Sequence, residues 1–503
     1  MGGDGEGAAM APFRSPLGGD TGSGGRAMDD GIGDADIFVV GTCEDMCPAK
    51  EREAREGNGE LHPFERVQYN NPKLTSPDLI IKRTVRNYEQ ENQIPTNFRT
   101  FGALDKTMRH LRRIMDWTTT DHPRAEPIVI YEFLWDRYRE VRKEIVTQRF
   151  NTNPVNLPQV MAWNEEVARY FIACSHELIN TKGFSAILNQ EQLNKVLMDL
   201  LGDYRTCVDL GVPTPNAGEF KCYMATMMYA GLENKSGKKI PNKFGAFEVL
   251  RSFTAQEQED SWFPITLGIL ATLANKDVHA YIQLAKAAPY PLACVLFMHY
   301  GSMKEHGFRI TPHAYNASAD PENVVPVPAL APMFDLTTKG ISAKCVSMGA
   351  ELGPYPEDPS VEAVRFPDPS SLSYSSLKKQ VQPWISNKGS AKTGNPSAAI
   401  VNPPTLSPAL LDLVARIQGK PPGTLNVRPQ PPSQPHQPLP STTPSHVRPT
   451  TSMFGFPQPQ QPTLQPHQQQ QQPPLTPLPF GVSPTPPAAT ATTAAAAAAA
   501  SKP

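Results

Sequence analysis

The sequence predicts a mainly α-helical protein: a right-handed stack of helix pairs, closed by a smaller helix-and-ribbon end and flanked by two tails without a core. Three observations carry this. Apolar residues recur at i, i+3 and i+4 in one segment after another between about residues 76 and 304. No convincing alternating strand pattern interrupts that series, which favours stacked helical hairpins over a parallel sheet. Proline, 54 of 503 residues, gathers toward the C-terminal end at roughly twice the usual ~5 % share overall. No strict internal repeat is present, which disfavours a consensus repeat array.

Residues 1–35, rich in Gly, Asp and Ser, read as a disordered leader. A helical domain over 36–313 follows, opening with a loop-rich entry to about Asn71 and a short helix across Pro48 to Glu56. Ser76 as cap and Pro77 at the first position open a predicted helix whose face is Leu79, Ile80, Thr84, Val85 and Tyr88. Thr100 caps the next, with Leu104, Met108, Leu111 and Met115 inward, and a third runs from Pro127 to Gln148. Further helices are expected over Val160–Thr181, Asn189–Leu210, Pro215–Gly231, Lys243–Arg251, Ser261–Ala274, Lys276–Ala287 and Pro289–Lys304. Asn189 with Gln192 resembles a capping box, and Gly211 and Gly231 sit where helices should stop.

Residues 314–380 read as a winged-helix-like end of the same domain, with two short helices (Val327–Phe334, Thr337–Met348) and a β-ribbon over Glu351–Phe366. Pro326, Pro328, Pro332 and Gly340 work against those helices. Residues 381–503 are a Pro/Gln/Ala-rich tail expected to be disordered, apart from a short helix at 407–418. Its run SPALLDLVARI places Leu410, Leu411, Val414 and Ile417 on one face. It reads either as a groove-binding partner helix or as a chance apolar cluster.

The net charge of −2 demands neither nucleic acid nor an anionic membrane, so any such contact must be a local patch. Seven scattered cysteines and no apolar leader near Met1 fit a reduced, intracellular protein, and no run reaches the roughly 18 apolar residues of a membrane helix. Cys43 and Cys47 lack a second ligand pair, so no metal is expected there and small buried side chains in the entry loop are the better reading. His110, His176 and His279 lie within helical patterns and Gly18–Gly25 has no phosphate-loop context, so neither an enzyme nor a cofactor is expected.

Two basic runs are candidates for nucleic acid. The first holds Arg99, Lys106, Arg109, Arg112 and Arg113 with few acids between; RNA or an acidic partner competes closely with an ordinary charged face. In the second, Arg137 to Arg149, interleaved Glu132, Asp136, Glu140 and Glu144 favour a solvated face laced by i,i+4 pairs. A weaker patch, Lys339, Lys344, Arg365, Lys378 and Lys379, falls in the winged-helix-like end.

The run from Gly41 to Glu56, GTCEDMCPAKEREARE, resembles the opening of the SAC3/GANP domain, with Gly41, Cys43, Met46, Cys47, Pro48, Glu51 and Arg55 as its signature. DLIIKRTVR (78–86), PTNFRTFGAL (95–104), IYEFLWDRYREVRKEIVTQ (130–148), VARYFIACSHE (167–177), 184–204, 219–223 and AAPYPLAC (287–294) are similar to that family's later motifs, in order, over about residues 38–372. The resemblance implies a PCI-like helical stack ending in a winged helix and a non-enzymatic scaffold. It implies a PCI-type partner subunit that holds a small acidic protein, and a joint surface that binds RNA without sequence preference. It implies a nuclear protein of mRNA export coupled to transcription, in a TREX-2-like complex with nuclear-pore or export-receptor contacts. Branches of the family in transcription elongation and splicing, or at centrosomes in cell division with a cytoplasmic or centrosomal pool and no RNA contact, are the alternatives. Phe454-Gly455 and Phe480-Gly481 are the only Phe-Gly pairs in the tail, too few to argue for export-receptor binding.

Overall fold

The computed structural model describes residues 39–68, 71, 75–84, 94–116, 125–233, 238–315, 323–374, 377, 379–390 and 396–425. The leader, the chain beyond 425 with its glutamine and alanine runs and both Phe-Gly pairs, and Lys378 lie outside the described residues.

An irregular entry carries one helix, α1 (Ala49–Gly57), and leads into a helical stack. The stack comprises α2 (Phe101–Met115), α3 (Pro127–Thr147), α4 (Leu157–Glu177), α5 (Ala186–Leu210) and α6 (Ala217–Ala230). A two-stranded hairpin follows, β1 (Leu232–Glu233) and β2 (Lys239–Ile240), then α7 (Lys243–Arg251), α8 (Ala255–Gln258), α9 (Trp262–Asn275), α10 (Val278–Ala287) and α11 (Tyr290–Ala314). Neighbours in sequence pack on one another: α4 on α5, α6 on α7 and α9, α10 on α11, while α11 returns to α4. Local chemistry fixes the ends. The Thr100 side chain accepts from the Ala103 N–H at 3.2 Å to start α2, and Gly211, at φ +68°, stops α5. One continuous apolar core runs from Met46 through Trp163, Tyr223 and Trp262 to Tyr300.

A second, separate core closes the far end. There β3 (Val325–Pro326), α12 (Val327–Met333), α13 (Thr338–Met348), β4 (Glu351–Pro354) and β5 (Glu362–Arg365) form two helices and a three-stranded antiparallel sheet of order β3-β5-β4. Val364 of β5 pairs with Val325 on one side and Leu352 on the other. Phe308 of α11 stacks on Phe334 with ring centroids 4.1 Å apart, over Ile341, Cys345 and Met348. Gly307 makes that stack reachable, since a Cβ there would meet the Phe334 ring at 2.7 Å.

The structure departs from the sequence reading in five places. The helix expected from Ser76 is a single 3₁₀ turn, Pro77–Leu79, and Ile80 to Thr84 belong to no helix or strand; Val85 to Tyr88 lie outside the described residues. The α5 cap is the Ser185 side chain, while Asn189 is buried inside the helix, donating to the Phe171 carbonyl and the Ser175 hydroxyl. The β1–β2 hairpin is too short to show as an alternating pattern. α11 continues to Ala314, past the expected end at Lys304, because Met303, Phe308 and Thr311 remain buried. Finally, residues 383–417 are not featureless: α14 (Pro383–Ser390), α15 (Pro396–Val401) and α16 (Pro408–Ile417) lie on the stack, with Ile385, Ile400, Leu410 and Val414 fully or almost fully buried.

Candidate functional site: the entry clamp and the basic faces

The charged residues of the entry form a buried network, and it explains the signature. Glu65, wholly buried, is held between Arg55 and Arg137, with Arg137 Nη2 at 2.9 Å from one carboxylate oxygen. The same carboxylate accepts from the Ile81 N–H at 3.1 Å, and Arg55 Nη1 donates to the Ile81 carbonyl at 3.0 Å. Next along the chain, Arg83 N–H donates to Glu51 at 3.0 Å and Thr84 N–H to Asp136 at 3.2 Å. Side-chain carboxylates therefore take the N–H groups of Ile81, Arg83 and Thr84, and the Met46 carbonyl takes that of Lys82, donors that a helix would have used internally, which is why 80–84 is not helical.

Lys82, also buried, sits between Glu140 at 3.1 Å and Glu144 at 2.9 Å and donates to the Asn97 carbonyl at 2.7 Å. Glu144 in turn takes the Arg99 backbone N–H at 3.0 Å and its guanidinium at 3.2 Å. Gln148 completes the row, accepting from Gly41 N–H at 2.8 Å and donating to the Arg99 carbonyl at 3.0 Å. A Cβ on Gly41 would stand 2.5 Å from the Phe98 carbonyl oxygen, so the close approach requires glycine. Cys43 exchanges backbone bonds with Phe98 and Thr100, and Met46 and Cys47 are buried beneath. Pro48 immediately precedes α1.

Electrostatics follow from this geometry. Burial pushes the Glu65 carboxyl up, but Arg137 and Arg55 outweigh it and hold it below the ordinary carboxylate range. Glu144 is likewise held low, against burial, by Arg99 and Lys82. Burial would lower Lys82, yet Glu144 and Glu140 raise it. Burial pushes the Cys47 thiol up to about 12.

The basic candidates divide. Arg99 is fully buried and belongs to the clamp, so it presents nothing to a nucleic acid. On α2, Lys106 pairs with Asp78 at 2.9 Å, Arg109 with Asp105 at 2.9 Å, and Arg112 with the buried Glu166. Arg113 is exposed and also partnered. The second run is not a solvated face: Arg137, Glu140 and Glu144 are buried and bind across the entry. The overlooked sequence signal is spacing, because Arg137, Glu140, Glu144 and Gln148 fall on one helical face beside the apolar face of α3. At the far end Lys339 and Arg365 are exposed, while Lys344 and Lys379 are half-buried. Leu410, Leu411 and Val414 are buried against this chain's own stack and Ile417 is partly so, which places the tail helix in cis rather than presenting it to a partner.

Among the described residues no set of three or more His, Cys, Asp and Glu side chains could hold one metal ion, and no helix is long and apolar enough to cross a membrane. Of the three candidate histidine bases, His110 is half-buried on α2, His176 is buried with its Nε2 accepting the Gln382 N–H at 2.9 Å, and His279 is exposed on α10.

The described residues thus form a mainly helical stack with a charge-locked entry and a separate helix-and-sheet end. The profile of the SAC3/GANP family matches residues 46–352, from Met46 within the signature to the start of β4, and the chain belongs to that family, a family of scaffolds. It is 29 % identical over 276 residues to SAC3 family protein B of Arabidopsis thaliana, covering 53 % of this chain and 15 % of that protein. It is 32 % identical over 195 residues to protein xmas of Drosophila melanogaster (38 % and 9 %). With SAC3 family protein 1 of Schizosaccharomyces pombe it shares 33 % over 194 residues (38 % and 18 %). The chain thus matches less than a fifth of the length of each of these relatives.

Proposed function

We propose that this chain is a non-catalytic nuclear scaffold in mRNA export coupled to transcription, binding a PCI-type subunit and, jointly with it, RNA. The carrying observation is the family match over 46–352, which takes in the entry clamp from Met46 on, the stack and the start of the terminal sheet. The terminal helices and sheet support a winged-helix reading, and the stack a PCI-like one. On α2 the cations Lys106, Arg109 and Arg112 are each matched by a carboxylate, so the exposed Lys339 of the terminal end is the better RNA contact. Exposed Glu351, Glu357, Asp358 and Glu362 share that end, so a partner has to complete a positive surface and RNA binding belongs to the complex.

The test is gentle affinity purification of the full chain from its own cells, with poly(A) RNA imaged after its depletion. A stoichiometric PCI-type subunit with a small acidic protein and nuclear-pore proteins, together with nuclear RNA retention, is the expected outcome. The same subunit without pore proteins shifts the role to transcription and splicing. Centrosomal or cytoskeletal proteins, with RNA distribution unchanged, would overturn the proposal.

A further inference from the structure

The tail helix α16 is capped by a serine that stands directly before a proline. Residues 403–407 belong to no helix or strand, and Ser407 is extended, at φ −89° and ψ 146°, with Pro408 at the first helical position. Thr405, Pro408 and Ala409 are exposed and Ser407 is half-buried. Ser407 thus ends a non-helical stretch and Pro408 is exposed in the first turn of α16; a serine followed by proline is the pair that proline-directed kinases accept.

The hydroxyl has two tasks. It accepts from the Leu410 N–H at 3.2 Å, capping α16, and donates to the Ala287 carbonyl at 3.4 Å. Ala287 is the last residue of α10, so its carbonyl lies at the negative end of that helix. Leu406 and Leu410 flank the cap and are buried, and Val414 lies against Gly268 of α9, where a Cβ would come within 3.2 Å of it. Gln418 Nε2 donates to the Pro264 carbonyl at 2.7 Å, closing the far end of the contact.

We propose that Ser407 is a phosphorylation site for a proline-directed kinase, and that phosphate there releases α16 from α9 and α10. The kinase transfers the γ-phosphoryl group of ATP. The bond from phosphorus to the β–γ bridging oxygen breaks, the bond to Ser407 Oγ forms, ADP leaves, and the hydroxyl proton passes to the kinase's base. Two features favour an anion at this point: the N-terminus of α16, and Lys388, whose ammonium lies on the Lys286 and Ala288 carbonyls. Lys388 is already engaged by those carbonyls, however, and the gap from Oγ to the Ala287 oxygen is one hydrogen bond wide. Phosphate oxygens cannot enter it, and a dianion against a helix C-terminal carbonyl beside buried leucines is repelled. Release uncovers the apolar faces of α9 and α10 that α16 now fills.

The experiment treats the full chain with ATP and a proline-directed kinase, maps phosphate by mass spectrometry and follows amide exchange over 408–417. Phosphate on Ser407 with exchange at least about tenfold faster is expected. No phosphate on Ser407, or phosphate with unchanged or slower exchange, overturns the proposal. Ser407→Asn keeps a capping side chain without a phosphate acceptor; acceleration in that variant after kinase treatment would assign the effect to other sites and equally overturn it. Leu411→Ala, which undocks α16 without phosphate, sets the exchange rate of the released helix.

Discussion

The entry and the far end of the domain are both small regions fastened to the same stack, and the weight of charge and apolar contact differs between them. The entry is held by carboxylates and cations removed from water, with Glu65 and Glu144 each binding two cations and at least one backbone N–H, over an apolar underside of Met46, Phe64 and Ile81. The far end is held mainly by apolar contact, Phe308 on Phe334 over Met348 and Val364, with a smaller polar tie at the partly exposed Asp335, which binds Lys286 at 2.7 Å and Tyr300 at 2.6 Å. Buried ion pairs add little net stability beside apolar packing but are costly to break singly. The entry should therefore be brittle to loss of one charge, and the far end should lose stability in proportion to the volume removed.

Substitutions can break that contrast. Glu144→Gln leaves Lys82 and Arg99 buried with too little negative charge, and a loss of about 3–5 kcal/mol in denaturant unfolding is expected. Leu330→Ala in α12 opens a cavity in the terminal core and should cost roughly 2–5 kcal/mol, according to how far the site collapses. Gly41→Ala forces the entry strand away from Phe98 and Gln148 and should cost about 1–3 kcal/mol, with its melting temperature falling accordingly. Lys106→Ala removes only an exposed pair and should leave the melting temperature within error.

Acidity sharpens the contrast further. Glu65 and Glu144 sit below the ordinary carboxylate value of 4.5, so their contribution is complete above that value and is lost as pH falls below it. Glu166 behaves oppositely. Burial, only partly offset by Arg112, pushes it up to about 7, so the folded state binds its proton more tightly than the unfolded chain and stability declines as pH rises from 4.5 to about 7. Melting curves of Glu166→Gln should gain on the parent across that window; a constant difference between the two would contradict this assignment.

The helices of the stack were legible because their apolar residues repeat with helical period and their ends carry recognisable caps, as at Thr100 and Gly211. The two terminal helices were legible despite their prolines, since Pro328 falls in the first turn of α12, where its missing N–H costs nothing. The segment 76–84 was misread because its conformation is set by Glu51, Glu65 and Asp136, far away in sequence; propensity and capping see only neighbours. The same blindness made the charges of α3 look solvated, though the clamp they form with Arg99 and Lys82 lies at the centre of the entry. The docking of α16 was half visible: its amphipathic face shows in the sequence, but the surface that covers it, on α9 and α10, does not.

Amide exchange mapped along the chain in Glu144→Gln tests the central claim most directly. The account predicts faster exchange at 39–47, 80–84 and 97–100, the segments fastened through Glu144, with 325–366 unchanged. Uniform acceleration through both regions, or none in the entry, would contradict it.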